Sequence, residues 1–443
     1  MRDPLNIAEE VVNELRKDFD DVIALVSDVN SAMVKFWNTE PSVTQSWLET
    51  KVTVYIAKNR KTLYLSLSVS DPEEVVKAVK SSARALEMLE ESELYAPLPK
   101  PKPWEPLEGL VDKAVVNALN NPKDVAEELV NSALSGGVDR VAGTLTLTHE
   151  VKATATSKGF AGREERTAVE AYLRVFKGEM SGHWAYGGRY LDLRKIQEVG
   201  EKAAYYATLT SKKADYEPGK YDVVLSPLVV GNLIDYIGFM ASAAAVLMGY
   251  SMFMKFKVGD TVASDKVTLM DVPRDADLPG STAFDDEGTP TYDKPIIEKG
   301  VLRNLLHNVG TAAKMNASTT GNAGLIFPTP WNLRLSTGGL DEESLAAELG
   351  NGIIVNNNWY TRLQNYVEGM FSTVSRDAAL LVRNGEIVGH LGRIRIADRF
   401  DNLLKNVVDL GKHAYMVKWW EVQTPMKAPY MLVRGLNITK PSV

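Results

Sequence analysis

Apolar positions in the first part of the chain alternate between two periods. Behind Asp3-Pro4, an N-cap residue followed by proline at the first helical position, Ile7, Val11, Val12 and Leu15 recur at helical spacing. The runs at 22–26, 52–56 and 63–69 are rich in β-formers and predict strands, with Asn59-Arg60 as a turn. Asp71-Pro72 opens a second helix, carried on one face by Val75, Val76, Val79, Ala83 and Leu86. Pro97, Pro99, Pro101, Pro103 and Pro106 then predict an extended surface connection. A helix over 122–134 stops at Gly136-Gly137, the segments 141–155 and 168–176 alternate like strands, and 191–209 has the pattern of a long amphipathic helix. Pro218 and Gly219 mark a boundary, which divides the chain into 1–215 and 216–443.

The texture changes after that boundary. An apolar helical region over 227–254 is followed by short β-like runs at 267–271, 302–306, 333–336, 353–355, 380–383 and 394–397. Asn384-Gly385 between two apolar runs is a strong hairpin signal. A chain of 443 residues exceeds one ordinary core. The pattern predicts an α+β protein. Its N-terminal α/β domain has a sheet and flanking helices, and its C-terminal domain is β-rich, barrel-like or a sandwich, with a buried helix. The stretch 236–254 carries no charge and is long enough to cross a bilayer. Without a second such stretch, a buried helix and no membrane contact are expected.

Composition narrows the chemistry. A net charge of −7 and a pI near 5.5 argue against a nucleic-acid partner. There are no cysteines, which removes disulfides, Cys-ligated metals and thiol nucleophiles. The opening Met1-Arg2-Asp3-Pro4 leads into an acidic amphipathic stretch without an apolar signal core, so a cytoplasmic location is expected. The five histidines, His149, His183, His307, His390 and His413, are far apart. His149-Glu150 begins like a zinc-protease pair, but Lys152, Ala153 and Thr154 stand where the second histidine is needed. Gly187-Gly188, the 321–324 segment and Gly338-Gly339 lack a phosphate-loop ending, and no Gly-x-Ser-x-Gly elbow occurs. No cofactor or metal is predicted. The densest polar cluster is Asp285-Asp286-Glu287-Gly288-Thr289-Pro290-Thr291, either a capped acidic turn or a loop lining a groove.

Seven segments in order then resemble the TldD/PmbA family, home of the TldD–TldE peptidase pair. They are Thr156-Ser157-Lys158-Gly159, the 218–227 segment, the acidic loop at 284–291, the 295–302 strand, Thr320-Gly321-Asn322-Ala323, Gly369-Met370-Phe371-Ser372 and Arg383-Asn384-Gly385-Glu386-Ile387. The resemblance implies a dimer enclosing a cavity. In its active members it implies a helix bearing HExxxH, completed as a zinc site by a cysteine nearer the C-terminus. Here the matching helix begins near Asn232, and Asp235, Tyr236 and Met240 fall at the three motif positions. No histidine lies between His183 and His307, and no glutamate between Glu217 and Glu287. Met370 replaces an acid of the family's element, and Ala397-Asp398-Arg399 departs from its usual turn.

The resemblance therefore implies a TldE/PmbA-like non-catalytic subunit. Its partner would be a zinc-bearing TldD-like chain in a heterodimer, and together they would act on small unfolded peptides. A homodimeric peptide-binding or scaffold protein without peptidase activity is the alternative. Asp285, Asp286, Glu287, Thr320, Gly321 and Asn322 are the candidate peptide-groove residues.

Overall fold

In the computed structural model, which describes residues 2–441, the Asp3 side chain accepts the Leu5 N–H at 2.9 Å and starts the helix Pro4–Leu15. A six-stranded sheet follows, made of β1 (Asp21–Trp37), β2 (Glu40–Lys58), β3 (Lys61–Leu67), β4 (Arg140–Thr156), β5 (Ala161–Lys177) and β6 (Met180–Gly188). Its order is β3-β2-β1-β4-β5-β6, and every pairing is antiparallel. Asn59 and Arg60 turn between β2 and β3 with φ of +52° and +62°, the left-handed pair that a tight hairpin requires.

Two helical layers cover this sheet. Ile7, Val11 and Leu15 of the first helix, with Val75 and Val79 of the helix Pro72–Ser82, bury Val22, Val26, Val54 and Ile56 at the β1–β2 end. Helices Lys123–Leu134 and Leu193–Thr208 pack on β4–β6 through Leu129, Ile196, Val199 and Ala203. Two glycines explain how closely β6 is covered. A Cβ at Gly182 would lie 2.1 Å from the Ala203 carbonyl oxygen, and one at Gly187 would lie 2.2 Å from Lys418 Cβ.

The remaining strands form two more sheets. One runs Val301–Leu302, Lys294–Glu298, Leu269–Asp271, Leu333–Leu335, Val422–Ala428, Tyr415–Trp419. The other runs Asn358–Asn365, Met370–Ser375, Arg395–Arg399, Met431–Thr439, Gly219–Leu225, Gly352–Val355, Ala379–Arg383, Glu386–His390, with Val407–Leu410 also pairing to Met431–Thr439. The hairpin at Asn384-Gly385 forms as expected, with φ of +50° and +78°. The fold is α+β, a helix-flanked sheet followed by a β-rich half around a buried helix.

That helix is Pro227–Met240. Ser226 Oγ accepts the Leu228 N–H at 3.2 Å, and Leu228, Val229, Leu233, Ile234 and Ile237 are buried. The apolar run does not continue as one rod. Leu306 N donates to the Ala241 carbonyl at 2.8 Å and Ala243 N to the Leu306 carbonyl at 2.9 Å, a backbone exchange incompatible with further helix. A short helix Ala243–Leu247 and a 3-10 turn Met252–Lys255 follow. Among the described residues, no helix is long and apolar enough to cross a membrane. The largest apolar cluster joins this helix to both later sheets and to the β4–β6 side of the first.

Candidate functional site

The helix Pro227–Met240 carries Asp235, Tyr236 and Met240, the residues that the resemblance sets against the metal motif, and the fold occupies all three. Asp235 accepts the backbone N–H groups of Gln423 and Thr424 at 2.8 and 3.2 Å, and burial pushes its carboxyl up. The Tyr236 hydroxyl donates to the Thr361 carbonyl at 3.2 Å, and its ring lies 6.4 Å from Phe400 in a stacked arrangement. Met240 is fully buried. One turn earlier, Asn232 anchors a buried polar cluster. Its Oδ1 accepts from Asn358 Nδ2 at 2.8 Å and Thr361 Oγ1 at 2.6 Å, while its Nδ2 donates to the Glu421 carbonyl at 2.8 Å. Thr373 Oγ1 closes the cluster, 2.9 Å from Asn358 Nδ2 and 2.8 Å from Thr361 Oγ1.

Zinc needs several deprotonated N, O or S donors at about 2 Å. A carboxylate already engaged by two amides, a phenol bonded to a carbonyl and a buried thioether do not fit it. Among the described residues no group of three or more His, Cys, Asp or Glu side chains is placed to hold a metal ion.

The acidic loop and the Thr320 turn, far apart in sequence, meet in space. Asp285 is fully buried; its Oδ1 accepts the N–H groups of Glu287 and Thr289 at 3.0 and 2.8 Å, and its Oδ2 that of Ala323 at 3.0 Å. Asp286 N returns a bond to the Ala323 carbonyl at 2.9 Å. Burial pushes the Asp285 carboxyl up to about 7, against the pull of those three donors. Asp286 is paired with Lys152 of β4 at 2.7 Å, and that ammonium sits 5.0 Å from the centroid of the Trp331 ring. Glu287 turns the other way. Its Oε2 accepts the Val309 N–H at 3.0 Å, and burial followed by the Asp285 charge holds its carboxyl well above the usual range.

The turn itself is tightly tied. Thr320 Oγ1 accepts the His307 N–H at 2.8 Å and bonds Asn322 Oδ1 at 2.8 Å. Asn322 Nδ2 donates to Asp271 Oδ2 at 2.7 Å and to the Thr329 carbonyl at 2.9 Å. Asp271 also meets Lys294 at 2.9 Å, both buried. Gly321 has φ +69°, and a Cβ there would lie 2.7 Å from the Pro290 carbonyl oxygen.

The structure thus groups the candidate residues into two sets, the helix positions and the loop–turn set. Sequence reasoning did not find the partners that complete them. Lys152, Val309 and Trp331 sit far away in the chain. Only the run Asn356-Asn357-Asn358, unusual beside an apolar strand, carried a signal, and all three side chains are buried and hydrogen-bonded.

Known proteins resemble this chain in sequence and in fold. Residues 218–440 match the family model described as the PmbA/TldA metallopeptidase C-terminal domain, and 99–209 match its central domain. The chain is 27% identical over 323 residues to a protein named Metalloprotease from Methanothermobacter thermautotrophicus, covering 68% of this chain and 70% of that one. It is 30% identical over 242 residues to Metalloprotease PmbA of Escherichia coli O157:H7, a match spanning 53% of this chain and 51% of that relative. The crystal structure of TldE from Thermococcus kodakarensis superposes with a TM-score of 0.85 over 98% of this chain and 100% of that chain, at 19% identity, a likeness of fold. With family models over both the central and the C-terminal segments, the chain belongs to the TldD/PmbA family.

Proposed function

We propose that this chain is a TldE/PmbA-like non-catalytic subunit of a zinc metallopeptidase complex acting on small unfolded peptides. The observation that carries the reading is the commitment of Asp235, Tyr236 and Met240 to hydrogen bonds and packing within the fold. A zinc-bearing TldD-like chain would supply the metal in a heterodimer, and a homodimer is the form expected without it. Apolar side chains exposed just beyond the same helix, Met248, Tyr250 and Met254, support an interface there. Residues 1–215 and 216–443 are taken as the two domains of the subunit, in a cytoplasmic setting. The loop at Asp285, Asp286 and Glu287, with the Thr320, Gly321 and Asn322 turn behind it, would form one wall of the peptide groove.

Complex formation tests the reading. Mixed with a zinc-bearing family member from the same genome, the chain is expected to form a stable 1:1 species by native mass spectrometry. Persistence of two separate homodimers would favour a peptide-binding or scaffold protein without a peptidase partner.

A further inference from the structure

Beside Glu287 the first sheet and the second half of the chain enclose a cavity of 180 Å³. Ile23 of β1, Tyr55 of β2 and Tyr64 of β3 form one side, while Leu94, Ile326 and the Glu287 carboxyl form the other. It is smaller than the ~300–1,000 Å³ of drug-sized sites, and at ~30 Å³ of liquid per water it holds a group of a few carbons.

Three observations define what it would take. Glu287 is only 9% exposed, and its Oε2 is used by the Val309 N–H, yet among the described residues no donor reaches its Oε1. Glu287 lines the cavity, so this oxygen is an acceptor open to an incoming partner. Next, the Tyr55 and Tyr64 rings lie 5.0 Å apart at 44° and present aromatic surface to the same space. Finally, the neighbouring ammonium groups are spent elsewhere: Lys152 on Asp286 at 2.7 Å and Lys158 on Asp21 at 2.8 Å. Asp285 and Asp21 lie close enough to raise the Glu287 carboxyl further.

We propose that this cavity binds a primary ammonium carried on a small apolar group, with Glu287 Oε1 accepting its N–H and the tyrosine faces contacting the cation and its carbon chain. Burial and Asp285 favour the protonated Glu287 carboxyl, so entry of the ammonium releases that proton to solvent; the resulting carboxylate supplies a charge-assisted hydrogen bond, and the rings supply cation–π attraction. The free N-terminus of a short peptide has this chemistry. Assigning the site to peptide N-termini rests on the peptide reading given above, whereas ammonium binding does not.

Calorimetric titration of the full chain alone, near neutral pH, separates these claims. The probes are L-leucinamide, 3-methylbutylammonium and N-acetyl-L-leucinamide. The first two are expected to bind and the acetylated probe, which has no ammonium, is not. Glu287→Gln keeps an oxygen for the Val309 N–H and should fold normally, while weakening both amines by about tenfold or more. Tyr64→Ala, at a partly exposed wall, should weaken them by several-fold with the fold unchanged by circular dichroism. Equal binding of the acetylated probe, amine affinity unchanged in Glu287→Gln, or no binding of either amine at millimolar concentration would overturn the proposal. Binding of L-leucinamide well above 3-methylbutylammonium supports the peptide N-terminus as the occupant. Equal binding keeps the ammonium site and removes that assignment. Because no partner chain is present, these outcomes are independent of whether the subunit reading holds.

Discussion

The helix Pro227–Met240 and the loop Asp285–Glu287 both carry polar side chains into the interior, yet they dispose of them differently. On the helix every polar group named above has a partner. Asp235 holds two backbone amides, Tyr236 reaches a carbonyl, and Asn232 joins Asn358 and Thr361. In the loop, Asp285 is consumed by three amides and Asp286 by Lys152, but Glu287 uses one oxygen only. Buried polar groups are costly unless paired, so helix side chains that are each bonded within the fold read as architecture. A set with one acceptor left over has capacity for something further.

Substitutions should separate the two regions, and the largest effect belongs to the helix. Met240→Ala removes a fully buried side chain from the main core and should cost about 2–5 kcal/mol in urea unfolding. If it cost under ~1 kcal/mol, the helix would not be the packed element described. Asp285→Ala comes next. It strips the acceptor from the N–H groups of Glu287, Thr289 and Ala323 and should cost on the order of 3 kcal/mol by the same assay. Asp285→Asn, which keeps one carbonyl oxygen, should cost less.

The pH dependence is smaller but has a definite sign. The folded Asp285 carboxyl is raised to about 7 from its ordinary 3.8. Between those values the native chain holds a proton that the unfolded chain has released. Stability from this group is therefore fully present below 3.8 and is lost as pH rises through about 7. Glu287, raised by burial and by Asp285, acts in the same direction. Urea midpoints measured from pH 4 to pH 8 should carry this decline in the wild type, and Asp285→Asn should flatten it. An unchanged slope in the variant would refute the assignment. The smallest effect on stability is expected at Glu287→Gln, within ~0.5 kcal/mol, since the Val309 N–H keeps its acceptor. A loss as large as that of Asp285→Ala would place Glu287 with the helix set, as structure.

Much of the fold was legible locally. Asp3 and Asp71 before proline, Asn59-Arg60 and Asn384-Gly385 each state their conformation in the chemistry of a few adjacent residues, and each forms as read. Strand extents were less legible. β1 and β2 continue through Ser27, Asp28, Asn30 and the polar 40–51 segment, because pairing with neighbours rather than burial keeps them extended. β6 was hidden by Gly182, Gly187 and Gly188, which weaken any strand pattern and are explained only by the close approach of Ala203, Lys418 and the Tyr186 ring. The run 227–254 showed its apolarity but not its break, which depends on the backbone of Leu306.

The candidate site divides the same way. The acidic loop and the Thr320 turn stood out as separate motifs. Their mutual bonds through Ala323, the Lys152 partner of Asp286 and the cavity beside Glu287 are long-range facts that no local pattern carries.

In the proposed function the Pro227–Met240 helix supports the fold rather than a metal, and catalysis belongs to a partner. The most direct test measures zinc content and cleavage of an unfolded peptide for this chain, for a zinc-bearing family partner, and for their mixture. No stoichiometric zinc and no cleavage are expected for this chain alone, with the mixture cleaving faster than the partner by itself. Stoichiometric zinc and cleavage by this chain without a partner would contradict the proposed function.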